Sequence, residues 1–279
     1  MMDDKVKLAI VGSGTVGRQL AIFLALKKFN VILISRNENA REVARTFVEG
    51  KLSSGANQNA LFPNIRFSSN LPDIMEATLV FEAVNEDIEV KKKVLSEIES
   101  IVSDETIIGS NTSSISIERL AEGLDRKHQF LGIHFFNPVA KMRLVEVVRS
   151  SKTSDSVVEC VQEFLIKIEK YPIVIGDSPA FIVNRVLMPL INEASMLVQE
   201  GNDPKTIDDA IKLGLNHPMG PLELADLIGI DICVQIMQNI AEQIKNEKYL
   251  PSDQLKMMID RGNLGRKSGK GFYSYAQRK

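Results

Sequence analysis

Two short apolar runs each carry one residue that a core has no use for. Gly132-Ile133-His134-Phe135-Phe136-Asn137-Pro138 holds an imidazole, and Leu144-Val145-Glu146-Val147-Val148 holds a carboxylate. Both runs read as strands, and the stretch between them, Asn137 to Arg143, is centred on Ala140. Strands folded back about that centre set His134 opposite Glu146, with Cβ atoms roughly 5 Å apart. A carboxylate beside an imidazole fixes the ring tautomer and supports the imidazolium that forms when the ring takes a proton, so the pair is a general-base arrangement. Alone, it reads equally well as a structural histidine and a solvated glutamate. The elements that position the pair decide between the two.

The chain begins with an apolar run, Val6 to Val11, which ends in Gly12-Ser13-Gly14-Thr15-Val16-Gly17. A helical pattern follows from Arg18 to Lys28, then a second strand, Val31 to Ile34. Gly12 permits a tight turn, Gly14 lets a pyrophosphate approach the backbone, and Gly17 lets helix and strand pack closely. The helix N-terminus then offers its N–H groups to the phosphates. The spacing therefore predicts a dinucleotide site. NAD sites usually close the second strand with an acid that holds the ribose 2′-OH. This chain has Ser35-Arg36-Asn37 there, and a guanidinium pairs with a 2′-phosphate. The reading favours NADP over NAD, the alternative being that Glu38 takes the ribose and Arg36 is a surface charge.

Further strands are expected at Ile65–Ser68, Leu79–Ala83, Thr106–Ser110 and Tyr171–Ile175, with helices at 39–50, 88–102 and 116–124 and a loop at 53–57. Strands alternating with helices imply a mainly parallel sheet of Rossmann type, an α/β fold with ligands beyond the carboxyl ends of the strands. The polar stretches Gly12–Gly17, Glu82–Glu86 and Asn111–Ser114 all fall at those ends. From about residue 179 the pattern is helical: 181–200 with Pro189 as a kink, a helix entered at Asp203-Pro204 and closed by Gly214, then 222–228, 231–245 and 252–261. The expected division is a dinucleotide-binding domain at 1–178 and a smaller all-α domain at 179–279. The high apolar content of these helices points to a surface buried against a second subunit.

Composition narrows the function classes. The chain has 279 residues, 44% hydrophobic and 25% charged, with net charge -2. That balance gives no basic surface for nucleic acid, and no run reaches the roughly 20 apolar residues of a membrane span. The start, Met1-Met2-Asp3-Asp4-Lys5, has no apolar or Arg-rich leader, and Cys160 and Cys233 are isolated, which together suggest a cytoplasmic protein with reduced thiols. His128, His134 and His217 are too scattered for a metal site, so none is expected.

With these residues placed, the chain resembles the L-3-hydroxyacyl-CoA dehydrogenase family, including the bacterial 3-hydroxybutyryl-CoA dehydrogenases. The matching stretches are Gly12–Gly17, Ser110-Asn111-Thr112-Ser113-Ser114, Gly132–Pro138 and Leu144–Val147. They continue through Phe181-Ile182-Val183-Asn184-Arg185, His217-Pro218-Met219-Gly220-Pro221 and Gly265–Tyr273. The resemblance implies an oxidoreductase that interconverts (S)-3-hydroxyacyl-CoA and 3-oxoacyl-CoA by hydride transfer with NAD(P), in fatty-acid β-oxidation or butanoate metabolism. It implies that His134 is the catalytic base and Glu146 its partner, and that Ser113 and Asn184 contact the acyl substrate. It also implies that Glu86, Lys91, Asn111, Ser113, Asn137 and Lys267 surround the nicotinamide half of the cofactor. A homodimer through the C-terminal helices is implied as well.

The chain departs from the family's pattern at Ser35-Arg36 and over 39–63, where the helical hairpin that helps hold CoA is shorter. Lys51 and Arg45 are the phosphate partners left there, with Lys51 a weak substrate contact. Two alternatives stand: a dehydrogenase of a free hydroxy or sugar acid, and a non-catalytic structural relative.

Overall fold

Runs of branched aliphatic residues pair into one eight-stranded sheet in this computed structural model, which describes residues 7–53 and 64–275. In chain order the strands are β1 (Leu8–Val11), β2 (Val31–Ile34), β3 (Ile65–Ser68), β4 (Leu79–Glu82), β5 (Ile107–Ser110), β6 (Phe130–Phe135), β7 (Leu144–Arg149) and β8 (Tyr171–Gly176). Their spatial order is β3-β2-β1-β4-β5-β6-β7-β8. Neighbours from β3 to β6 are parallel, β7 is antiparallel to β6, and β8 is parallel to β7. Every residue of β1, β4 and β5 is buried, as a parallel sheet covered on both faces requires.

The register explains how the site is built. Ile34, Val11, Glu82, Ser110 and Gly132 lie in one row across β2, β1, β4, β5 and β6. β6 runs three residues past that row, through Ile133, His134 and Phe135, and β7 supports this extension. His134 therefore stands beyond the carboxyl edge of the parallel strands. It is paired directly with Glu146, the partner expected from the loop centre.

The chain divides into two units, one ending at Asp177 and the other beginning at Ser178. In the first, the helices are α1 (Thr15–Leu26), α2 (Glu38–Ser53), α3 (Ile88–Ile101), α4 (Ile117–Ala121) and α5 (Asp155–Lys167). Helix α1 begins inside the glycine motif rather than after it, because Gly17 has no side chain to strike the turn. The loop expected at 53–57 lies outside the described residues beyond Ser53. Helix α5 is absent from the sequence reading, although its buried Val157, Val158, Val161, Phe164 and Leu165 recur at helical spacing. Parallel strands β7 and β8 need a crossover, and α5 supplies it. Phe81, Phe130, Phe164, Leu20 and Leu24 are fully buried, each contributing about 1.5–3 kcal/mol of transfer free energy.

The second unit contains α6 (Val183–Gln199), α7 (Pro204–Leu215), α8 (Pro221–Ile228), α9 (Ile230–Ile244) and α10 (Asp253–Asp260). Its core includes Met188, Ile191, Cys233, Met237 and Ile240. Helix α6 is continuous through Pro189. Asp203 caps α7, accepting from the Thr206 N–H at 3.1 Å, with Pro204 next. Gly214 does not close α7. Asn216 does, in the left-handed conformation that asparagine tolerates. The carboxyl-terminal segment is fastened by two buried acids. Asp226 accepts from the Phe272 and Tyr273 N–H groups, and Asp208 from the Tyr273 hydroxyl at 2.7 Å.

Candidate active site

The glycine turn is shaped for close backbone approach. Gly12 has φ +114°, and a Cβ there would lie 2.4 Å from the Ala83 carbonyl oxygen. A Cβ on Gly17 would lie 1.9 Å from the Gly12 oxygen, whereas Gly14 has nothing within 4 Å of that position. Ser13, Thr15 and Val16 complete the turn and the first residues of α1. No side chain caps α1, and its first turn holds no acid, so its N–H groups and positive end are offered to an anion. These features fit a dinucleotide pyrophosphate.

At the end of β2, Ser35 is buried, and its hydroxyl has no hydrogen-bond partner among the described residues. Arg36 is exposed beside it. Glu38, the alternative ribose acid, is already shared by the Ser69 hydroxyl and by Arg41 at 2.6 Å. Arg18 lies 4.3 Å over the Phe47 ring and Lys51 5.9 Å from it, making a cationic flank. Arg45 stacks on Phe67 instead.

The next two strand ends are joined by buried charges. Asp87 caps α3 by accepting from Glu89 and Val90 N–H groups, which fixes where the helix starts. One turn on, Lys91 reaches back to the end of β4. Its ammonium donates to Glu82 at 2.8 and 3.1 Å and lies 3.5 Å from Glu86. Glu86 Oε1 in turn accepts from the Ser113 and Ser114 N–H groups at 2.9 and 3.0 Å and from the Thr112 hydroxyl at 2.6 Å. Burial pushes the Glu86 carboxyl up, but Lys91 and these donors outweigh it and hold it below the usual carboxylate range. Lys91 is thus turned inward, as a brace for the loop that carries Ser113.

His134 Nδ1 and Glu146 Oε2 are 2.8 Å apart, with the two residues 6% and 1% exposed. The carboxylate selects the tautomer that donates from Nδ1, which makes Nε2 the basic nitrogen. The Phe136 ring lies 4.5 Å from the imidazole, centre to centre. Asn111 Oδ1 accepts from the Phe135 N–H at 2.9 Å, tying the loop after β5 to the strand that carries His134. Asn137 is held from α1, where Gln19 donates to its Oδ1 at 2.8 Å and accepts from the Val139 N–H at 2.9 Å. The first unit therefore links Ser113, Glu86, Lys91, Asn111, His134, Glu146 and Asn137 along one sheet edge. Asn184 and Lys267 belong to the second unit. Asn184 is the second residue of α6, and Lys267 pairs with Asp231 at 2.6 Å.

Comparison with known proteins covers both units. Residues 7–178 match the 3-hydroxyacyl-CoA dehydrogenase NAD binding domain, and residues 181–275 match the C-terminal domain of the same enzymes. The chain belongs to the 3-hydroxyacyl-CoA dehydrogenase family. A 3-hydroxybutyryl-CoA dehydrogenase of Bradyrhizobium diazoefficiens is 40% identical over 96% of this chain and 95% of its own. One from Clostridioides difficile is 37% identical over 97% and 99%. The crystal structure of (S)-3-hydroxybutyryl-CoA dehydrogenase PaaH1 from Ralstonia eutropha superposes with a TM-score of 0.90 at 38% identity, covering 97% of this chain and 99% of that one. The activity class is that of the family, a 3-hydroxyacyl-CoA dehydrogenase with an NAD-binding domain.

Two further residues, Glu82 and Gln19, hold parts of the site in place. In the sequence Glu82 reads as the polar residue of the Leu79–Ala83 strand and the start of the polar stretch after it, and Gln19 as part of a helix. An acid closing an otherwise apolar strand was the available signal for Glu82. Nothing in the sequence marks Gln19, whose partners lie more than a hundred residues away.

Proposed function

We propose that the chain interconverts (S)-3-hydroxyacyl-CoA and 3-oxoacyl-CoA thioesters of short chain, 3-hydroxybutyryl-CoA and acetoacetyl-CoA foremost, with His134 moving the proton. The observation that carries this reading is the 2.8 Å contact of His134 Nδ1 with Glu146 at the edge where the glycine turn and the Ser113 loop also end. A nicotinamide nucleotide held at the glycine turn would supply the hydride acceptor for oxidation and the hydride donor for reduction. Neutral His134 accepts the hydroxyl proton at Nε2 during oxidation, and imidazolium His134 gives it back during reduction. Glu146 stabilises the imidazolium and holds the ring's orientation. In the first unit Ser113 is assigned to a substrate oxygen and Glu86, Lys91, Asn111 and Asn137 to the nicotinamide half of the cofactor; in the second, Asn184 is assigned to the substrate and Lys267 to the cofactor. Lys51 is a peripheral contact for CoA phosphate.

For the nucleotide, the reading favours NADP over NAD. Its support is the exposed Arg36 at the β2 end and the engagement of Glu38 elsewhere. Assembly is proposed as a homodimer through the second unit, whose Val186 and Leu213 are 69% and 85% exposed. A cytoplasmic location is proposed from the two isolated cysteines; among the described residues no single helix is long and apolar enough to cross a membrane.

The test is a steady-state comparison of acetoacetyl-CoA with acetoacetate, each with NADH and with NADPH. Acetoacetyl-CoA is expected to be reduced and acetoacetate not, with NADPH the better donor. Equal or better rates with NADH would refute the Arg36 argument, and no reaction of the thioester with either nucleotide would refute the larger reading.

A further inference from the structure

Glu82 takes no part in the proton and hydride steps, yet its carboxylate is fully buried at the ligand edge of the sheet. Every contact it makes is internal. Oε1 accepts from the Val84 N–H at 2.7 Å and from Lys91 at 2.8 Å, and Oε2 from the Ser110 hydroxyl at 2.5 Å and from Lys91 at 3.1 Å. A buried ion pair seldom stabilises a fold more than an apolar pair of the same shape does, so stability alone gives no reason for it.

The distances suggest another reason. Lys91 sits between two acids and is bound to Glu82, while Glu86 is 3.5 Å away. Glu86 has its own load, since its Oε1 gathers Thr112, Ser113 and Ser114. The Lys91 ammonium is buried, and a charge out of water attracts a neighbouring carboxylate strongly, even one that keeps part of its solvent as Glu86 does. If Glu82 lost its charge, the ammonium's remaining anionic partner would be Glu86. Drawing that carboxylate toward Lys91 would take it from the loop, and Ser113 would lose the 2.9 Å bond that fixes its backbone.

We infer that Glu82 is a positioning residue for the reaction: it holds Lys91 at the end of β4 and so reserves Glu86 for the loop that presents Ser113. This rests on the dehydrogenase site proposed above. Glu82 touches neither substrate nor nucleotide and acts through Lys91, Glu86 and then Ser113. The Ser110 hydroxyl pins its other oxygen, which couples the ends of β4 and β5.

The experiment is a double-mutant cycle of Glu82→Gln and Glu86→Gln in the full chain, with kcat and KM for acetoacetyl-CoA, melting temperature, and hydrogen–deuterium exchange over 112–115. Glu82→Gln is expected to lower kcat about tenfold, as slight misplacement of a positioning group does, with KM changed less. The double variant is expected to have the kcat of Glu86→Gln alone, because both changes act through one loop. Exchange over 112–115 should rise in Glu82→Gln to the level of Glu86→Gln. A lower melting temperature with kcat, KM and loop exchange unchanged would overturn the inference, as would losses that multiply in the double variant. If Glu82→Gln does not fold, Ser110→Ala strips one bond from the same carboxylate, and its smaller kcat loss must likewise vanish against Glu86→Gln. The exchange readout needs no turnover. An inactive wild-type enzyme would therefore sink the proposed function while the coupling of Glu82 to the Ser113 loop was still decided.

Discussion

Glu146 and Glu86 are two acids on one sheet edge with opposite employment. Glu146 faces a ring whose protonation state can change, at 2.8 Å. Glu86 faces an ammonium and the hydroxyl and amide donors of Thr112, Ser113 and Ser114, which keep their protons throughout. In the proposed function the first follows a proton, while the second stays charged and holds a loop. The depressed pKa of Glu86 agrees with that. A carboxyl whose folded value lies below its ordinary 4.5 contributes fully above that value and loses its contribution only as pH falls through the folded one. The Ser113 loop thus keeps its anchor through the neutral range.

The contrast is broken most severely at His134. His134→Gln keeps the ring's hydrogen-bonding span and removes proton transfer, so kcat should fall about 10²–10⁴-fold. Nucleotide affinity, followed by NADPH fluorescence, should stay near native. Near-native turnover would sink the assignment of the base. Next in size is Glu146→Gln, which leaves a neutral partner that can accept or donate and so loses both the tautomer and the charge support. A loss of about 10²-fold in kcat is expected, the low end of what a positioned acid–base group contributes, because the ring itself remains. A loss confined to melting temperature would make Glu146 a holding group like Glu86. The Glu86→Gln arm of the cycle above is expected to cost least.

These two acids were not equally legible in the sequence. The His134–Glu146 pairing follows from alternation along two strands and the centre of one loop, which are local facts. The glycine turn is local too, and the close backbone approaches at Gly12 and Gly17 follow from its spacing. The cluster around Glu82 is not. Ile88 to Val102 is so rich in charge that it reads as a solvated helix. Only its packing on the sheet puts Lys91 inside, at 1% exposure, while Lys92 and Lys93 stay at the surface. Helix α5 lies between two strong strands, and only the parallel pairing of β8 with β7 requires it. Glycine is the commonest residue at such a helix end, but α7 runs through Gly214 and closes at Asn216, which takes the left-handed conformation.

The most direct measurement is the ¹⁵N NMR spectrum of histidine-labelled protein, which has only three histidines to assign. If Glu146 prepares His134 for proton transfer, the neutral ring will carry its proton on Nδ1 and its lone pair on Nε2, and that bias will vanish in Glu146→Gln. A wild-type ring protonated on Nε2 would contradict it, because the nitrogen assigned to take the substrate proton would already hold one.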